Sequence, residues 1–129
     1  MGVIVIFDTD ILIWSQHDHL KAKELILDDE ERVISLQTYM EFLQGARSLK
    51  EMQLFKDMLT EARFLILSFS ENIGHRASIY IEEYAVPSGL RAGDALIAAT
   101  AVEHNLVLAT GNRKHFQMIR DLKIHAFHS

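Results

Sequence analysis

The stretch Val3 to Trp14, VIVIFDTDILIW, constrains the fold more than any other part of the chain. Val3 to Phe7 are five apolar, mostly β-branched residues in succession. Such a run is too short for a helix and does not alternate, so it reads as a strand buried on both faces, as in the middle of a parallel sheet. Asp8 ends it. A carboxylate directly after a buried strand sits at the carboxyl-terminal edge of the sheet, and open α/β sheets bind ligands in the crevice outside those ends. Asp8 is therefore the first candidate site residue. Asp10, ahead of Ile11 to Trp14, reads as the N-cap of the first helix, its side chain accepting from free backbone N–H groups.

Downstream, apolar periodicity alternates between helix and strand. Leu20 to Asp28 reads as an amphipathic helix, with Leu20, Ala22, Ile26 and Leu27 apolar and Lys21, Lys23 and Glu24 left for solvent. Arg32 to Leu36 is a second strand. Thr38 with Glu41 has capping-box spacing and starts a helix that stops near Gly45, and Ser48 with Glu51 repeats the signal ahead of Met52, Phe55, Met58 and Leu59. Phe64 to Leu67 is a third strand. Ser70 opens a long helix through Ile73, Ala77, Ile81 and Tyr84, which Pro87-Ser88-Gly89 is expected to end. Asp94 to His104 is helical and alanine-rich on every side, which suits close packing against a sheet, and Asn105 suits its C-terminus. Leu106 to Ala109 is the fourth strand, Lys114 to Ile119 a short helix and Leu122 to Ala126 a weak fifth strand. Strands alternating with helices imply right-handed crossovers and a parallel sheet covered on both faces.

At 129 residues the whole chain, 1–129, is expected to form one domain that buries about two-thirds of its unfolded surface. It has no cysteine, which excludes disulfides and thiolate metal sites. No apolar stretch approaches the roughly 20 residues of a membrane span, and Met1-Gly2 leads into the strand without a basic n-region, so a cytoplasmic protein with no membrane contact is expected. The net charge of −5 has the wrong sign for holding nucleic acid by phosphate neutralisation alone. A nucleic-acid function needs a cation or a local basic rim.

Three carboxylates fall at positions of one kind: Asp8 after the first strand, Glu41 in the first turn after the second, and Asp94 in the first turn of the alanine-rich helix. In a parallel sheet Asp8 and Glu41 share an edge, and Asp94 joins them if its helix starts there. Singly, each has a structural explanation, Glu41 as half of a capping box and Asp94 as a favourable charge at a helix N-terminus. Gathered in one crevice they repel, and the compensating charge must come from elsewhere. An all-oxygen set suits a hard divalent cation such as Mg²⁺, which keeps waters and leaves room for phosphate oxygens. Metal-assisted phosphoryl transfer follows as the candidate chemistry. His17 and His19 read as turn residues and Trp14 and Phe116 as core, while Arg113 and Lys114 beside the crevice read equally as phosphate contacts or as a solvated loop.

Asp8-Thr9-Asp10, Tyr39 to Leu43, Gly93 to Ala101, and Thr110-Gly111-Asn112-Arg113-Lys114-His115-Phe116 stand in the order and at the spacing of PIN domains. Over nearly its whole length the chain resembles the VapC toxins of prokaryotic toxin–antitoxin pairs. The resemblance implies a three-layer α/β sandwich with a five-stranded parallel sheet in order 3-2-1-4-5. It further implies a Mg²⁺- or Mn²⁺-dependent ribonuclease whose metal-binding and catalytic carboxylates are Asp8, Glu41 and Asp94. Thr110, Asn112 and His115 become candidate contacts to substrate or a second metal. The implied partners are an RNA substrate, a cognate antitoxin and a second copy of the chain in a homodimer. His115 departs from the pattern, because many members carry an aspartate there. Two alternatives stand beside this reading. One is a haloacid-dehalogenase-like phosphatase with Asp8 as nucleophile, and the other a non-catalytic α/β interaction module.

Overall fold

The computed structural model describes residues 4–128. Their elements are β1 (Val5–Phe7), α1 (Thr9–Gln16), α2 (Leu20–Asp28), β2 (Arg32–Ser35), α3 (Leu36–Gln44), α4 (Leu49–Glu61), β3 (Phe64–Leu67), α5 (Glu71–Ser88), α6 (Ala92–Glu103), β4 (Val107–Thr110), α7 (Arg113–Phe116) and β5 (Ile124–Ala126). The sheet is parallel throughout, in order β3-β2-β1-β4-β5. The expected first strand is found from Val5, while Met1, Gly2 and Val3 lie outside the described residues.

The central strands divide their side chains between two cores. Ile6, Val33 and Leu108 face one way and pack with Ile73, Ala77, Ala95, Ala98 and Phe116, which belong to α5, α6 and α7. Phe7, Ile34 and Ala109 face the other way and pack with Ile11, Leu12, Ile26, Phe42, Phe55 and Leu59, which belong to α1 to α4. This is the three-layer sandwich, and it explains why β1 is apolar without alternation: both of its faces are covered. Helix α6 is buried on nearly every side, with Ala95, Ile97, Ala98, Ala99, Thr100 and Ala101 all buried, so its small side chains serve close packing. Among the described residues no helix is long and apolar enough to cross a membrane.

Local signals held where a cap faces solvent. Ser48 Oγ accepts from Glu51 N at 3.0 Å, and Ser70 Oγ from Ile73 N at 3.1 Å. Asn105 takes the left-handed conformation just past α6, with φ +54°. Several boundaries differ from the sequence expectation by one to three residues, α6 starting at Ala92, α7 spanning Arg113–Phe116 and β5 starting at Ile124, and three differences have a direct cause. The N-cap of α1 is Asp8, not Asp10, because the helix starts as soon as β1 ends. The N-cap of α3 is Ser35, whose Oγ accepts from Thr38 N at 2.9 Å; Thr38 is buried in the first turn and forms no capping box with Glu41. Helix α5 continues through Pro87 and stops at Gly89, where φ is +74° and the N–H reaches Ala85 O at 3.0 Å. A proline in a last turn forfeits a single backbone hydrogen bond, which leaves termination to the glycine.

Candidate active site

Strands β1 and β4 pair with Phe7 beside Ala109, so Asp8 and Thr110 emerge together at the carboxyl edge of the sheet. The strand order reverses direction between these two strands, which opens the crevice that the chain's own topology offers to a ligand. Asp8 is 6% exposed and Thr110 is fully buried. Asp8 Oδ1 accepts from Thr9 N at 2.8 Å, and its Oδ2 accepts from the Thr110 hydroxyl at 2.7 Å. Burial, with the neighbouring charge of Asp10 and the weaker one of Asp94, pushes the Asp8 carboxyl up to about 7 against these two hydrogen bonds.

Glu41 comes from the middle of α3, across from α1. Its Oε1 accepts from the Thr9 hydroxyl at 2.5 Å and its Oε2 from Gln37 Nε2 at 2.8 Å. The capping-box explanation for Glu41 is thereby removed, and the carboxylate is held by side chains of α1 and α3 instead. Helix α6 begins tight against it: a Cβ on Gly93 would lie 2.5 Å from Glu41 Oε2 and 3.0 Å from Gln37 Nε2. Asp94 follows in the first turn of α6, where its Oδ2 accepts from Arg91 N at 3.2 Å, so it also has the helix-start role expected of it. Burial raises the Asp94 carboxyl, and the Glu41 charge adds to the rise, while Arg91 and His115 oppose it.

Two members of this group are absent from the sequence reading. Thr9 is buried and joins Glu41 to Thr38, its hydroxyl lying 3.2 Å from Thr38 Oγ1. Asp10, taken as a cap, instead crosses to the loop after β4, where its Oδ2 accepts from Gly111 N at 3.1 Å. Burial raises its carboxyl, and Asp94 adds to the rise. The signal for Asp10 was its place two residues after Asp8 on the turn that leaves the strand, but a cap explained the same residue more simply.

The loop after β4 brings Asn112 and His115 to the rim. His115 Nδ1 lies 3.0 Å from Asn112 Nδ2 and 3.6 Å from Asp94 Oδ2. Asn112 N donates to Thr110 Oγ1 at 2.9 Å. Arg113 and Lys114 are exposed, Phe116 is buried in the core, and the Trp14 ring packs against Gly111 and Phe127. His19 caps α2 through Nδ1, accepting from Ala22 N at 3.3 Å, and neither it nor His17 enters a ligating group among the described residues.

The donor set is all oxygen and all acidic. Each carboxylate is turned onto a donor of the protein itself, so among the described residues no three acidic or histidine side chains close on a single point. Burial is the main cause of the raised carboxyls of Asp8, Asp10 and Asp94, and their mutual repulsion adds to it, offset at Asp94 by Arg91 and His115. One oxygen, Asp10 Oδ1, is buried without any partner. A hard divalent cation fits such a set by charge and by ligand type.

The chain matches the PIN domain family over residues 5–121. It is 29% identical over 124 residues to Ribonuclease VapC10 of Mycobacterium tuberculosis, a match that spans 93% of this chain and 91% of that protein. A chain of the toxin–antitoxin complex from Klebsiella pneumoniae is 34% identical, with a TM-score of 0.78, and the match covers 92% of this chain and 94% of that one. A chain of VapBC-1 from nontypeable Haemophilus influenzae is 27% identical, with a TM-score of 0.77, and the match covers 95% and 97% respectively.

Proposed function

Because this chain belongs to the PIN domain family, we propose that it is a ribonuclease of the VapC toxin type, which depends on a divalent metal and is neutralised by a cognate antitoxin. What supports this reading is that Asp8 after β1, Glu41 of α3 and Asp94 of α6 lie near enough at the carboxyl edge of the sheet for Asp94 to act electrostatically on Asp8 and Glu41 on Asp94. That arrangement, with the ribonuclease relative, replaces the phosphatase alternative.

Asp8, Glu41 and Asp94 would hold the ion, Mg²⁺ or Mn²⁺. When bound, the ion lowers the pKa of water and neutralises charge on a phosphodiester. The chain's own residues do the positioning. Thr110 orients Asp8, Thr9 and Gln37 orient Glu41, and the N-terminus of α6 orients Asp94. No side chain serves as a nucleophile. Asn112 and His115 border the crevice where a ribose or phosphate would lie, and Arg113 and Lys114 add positive charge at its rim, which an acidic protein needs to approach RNA.

The antitoxin has a docking face available among α1 to α4. Leu12, Ile26, Leu27, Phe42, Met58 and Leu59 contribute to an apolar cleft of about 210 Å³. Of the large apolar residues on α3 and α4, Phe42 and Phe55 are used internally, stacked at 4.6 Å and buried, whereas Met40 and Met58 remain exposed. A partner seated there that extends a cationic side chain to the acidic crevice would compete with the metal.

The test is RNA cleavage by the purified chain with Mg²⁺ or Mn²⁺, repeated for Asp8→Asn and with the product of the adjoining reading frame. Divalent-dependent cleavage, lost in Asp8→Asn and suppressed by a stoichiometric neighbour, is expected. Undiminished cleavage by Asp8→Asn would refute the site. Absence of cleavage with a stable partner complex would favour the interaction-module reading.

A further inference from the structure

Asp10 is committed by only one of its two carboxylate oxygens. Oδ2 accepts from Gly111 N at 3.1 Å, a bond that a neutral asparagine or serine would make as well. Oδ1 is buried and, among the described residues, is the one such side-chain oxygen or nitrogen with no partner. The Ile11 N–H lies close enough to hold the Asp10 carboxyl down somewhat, but its hydrogen bond goes to Asp8 O at 3.2 Å, which leaves Oδ1 without a bond of its own. A buried carboxylate oxygen without a donor costs free energy that a satisfied fold avoids, so this oxygen has a use the protein's own donors do not supply. Its surroundings make the point sharper, because Asp10 acts electrostatically on Asp8 and is itself acted on by Asp94. The residue also spans the crevice, rooted in the first turn of α1 and bonded to the loop that ends β4.

We propose that Asp10 is a fourth carboxylate of the metal-holding crevice, presenting Oδ1 to the cation directly or through one water while Oδ2 ties it to Gly111. The proposal rests on the metal-dependent reading above. It differs from a purely structural role for Asp10 in a way that can be measured without turnover. A tether to Gly111 needs an acceptor but no charge, whereas a metal contact needs the carboxylate.

The experiment is titration of the chelator-treated full chain with Mn²⁺ alone, followed by calorimetry and by the rise in Tm. Asp10→Asn is expected to weaken Mn²⁺ binding by roughly tenfold or more. Its metal-free Tm should stay level or rise, since a repulsion with Asp8 is removed. Asp10→Ser, which also keeps an acceptor for Gly111, should weaken Mn²⁺ binding likewise, and Asp57→Asn on the exposed face of α4 should bind as the unsubstituted chain does. Mn²⁺ affinity in either folded Asp10 variant equal to that of the unsubstituted chain overturns the proposal and leaves Asp10 as a tether. If the unsubstituted chain takes up no Mn²⁺, the metal-dependent reading falls, and this inference falls with it. The two failures are therefore distinct.

Discussion

The Thr110 hydroxyl donates to Asp8 Oδ2 at 2.7 Å, joining the ends of two neighbouring strands whose residues stand 102 positions apart in sequence. Both partners are buried, so the bond fixes the direction of one Asp8 oxygen and leaves little freedom in it. Thr110→Val keeps the shape and removes the donor. Cleavage is expected to fall about 10- to 100-fold, as for other groups that orient a metal ligand. Thr110→Ser should restore most of it. If the valine variant cleaves at the normal rate, Asp8 needs no orienting partner.

Metal-free stability should depend on pH through Asp8. Its folded carboxyl is pushed up to about 7 by burial, from an ordinary value of 3.8. Between those values the folded state holds a proton that the unfolded chain has released, so stability falls as pH rises from about 4 to about 7 and levels off above it. Three units correspond to at most about 4 kcal/mol. With chelator present, Tm should drop between pH 5 and pH 8, and Asp8→Asn should remove much of that drop. The raised carboxyls of Asp10 and Asp94 act in the same direction and account for what remains. A parallel Tm profile for the variant and the parent would contradict the assignment.

Gly93 offers a test of Glu41 that does not touch a carboxylate. A Cβ there meets Glu41 Oε2 at 2.5 Å and the Gln37 amide at 3.0 Å, so Gly93→Ala must push the Glu41 side chain aside. Both groups are ends of flexible side chains, and α6 gains helix propensity from the alanine, so stability should change by no more than about 1 kcal/mol. Activity should fall far more than stability does. Chemical denaturation alongside the cleavage assay separates the two effects, and equal activity would place Glu41 outside the chemistry.

The strand order followed from the resemblance to PIN domains, since no local pattern encodes it. The central strands β1 and β4 were legible because a strand covered on both faces leaves an unbroken apolar run. Asp8 and Asp94 were legible for the same reason, since each directly follows or opens an element whose limits the apolar pattern reveals. Glu41 does lie beside the start of α6 and near Asp94, but not for the reason its spacing suggested. Its capping box required Thr38 to start α3, but β2 ends at Ser35, which supplies the cap itself. Asp10 was misread because a cap is a local property, whereas its bond to Gly111 joins residues 101 positions apart. Thr9 likewise owes its role to a contact with Glu41 that only the packing of α1 on α3 creates. Local chemistry announced the backbone, and the tertiary pairings that make the site had no local signature.

His115 stands at the rim with Nδ1 3.6 Å from Asp94 Oδ2, near enough to influence the ion that Asp94 would hold. An imidazole ligand adds no negative charge, and it suits Mn²⁺ better than Mg²⁺. His115→Asp is expected to lower the Mg²⁺ concentration needed for half-maximal cleavage more than it lowers the Mn²⁺ concentration. Identical activation curves for both ions before and after the substitution would show that His115 does not sense the metal.

The apolar cleft among α1 to α4 makes the antitoxin reading testable apart from catalysis. Leu27 is 65% exposed and Met58 is 41% exposed, although both line a cleft whose floor is Leu12, Phe42 and Leu59. Burying such side chains under a partner contributes roughly 1.5–3 kcal/mol each, and a charge placed among them cannot be buried without a counter-ion. Leu27→Asp and Met58→Asp lie on the cleft's outer wall, so neither disturbs the buried core, and neither residue belongs to the acidic crevice. Each variant is expected to cleave RNA as the parent does while losing most of its affinity for the inhibitory product of the adjoining reading frame, and the double variant should escape inhibition altogether. The measurements are pull-down of the co-expressed neighbour and cleavage at stoichiometric neighbour. If both variants remain captured and inhibited, the partner docks elsewhere on the surface. If capture survives but inhibition is lost, the cleft holds the part of the partner that reaches the carboxylates, and the main docking contact lies outside it.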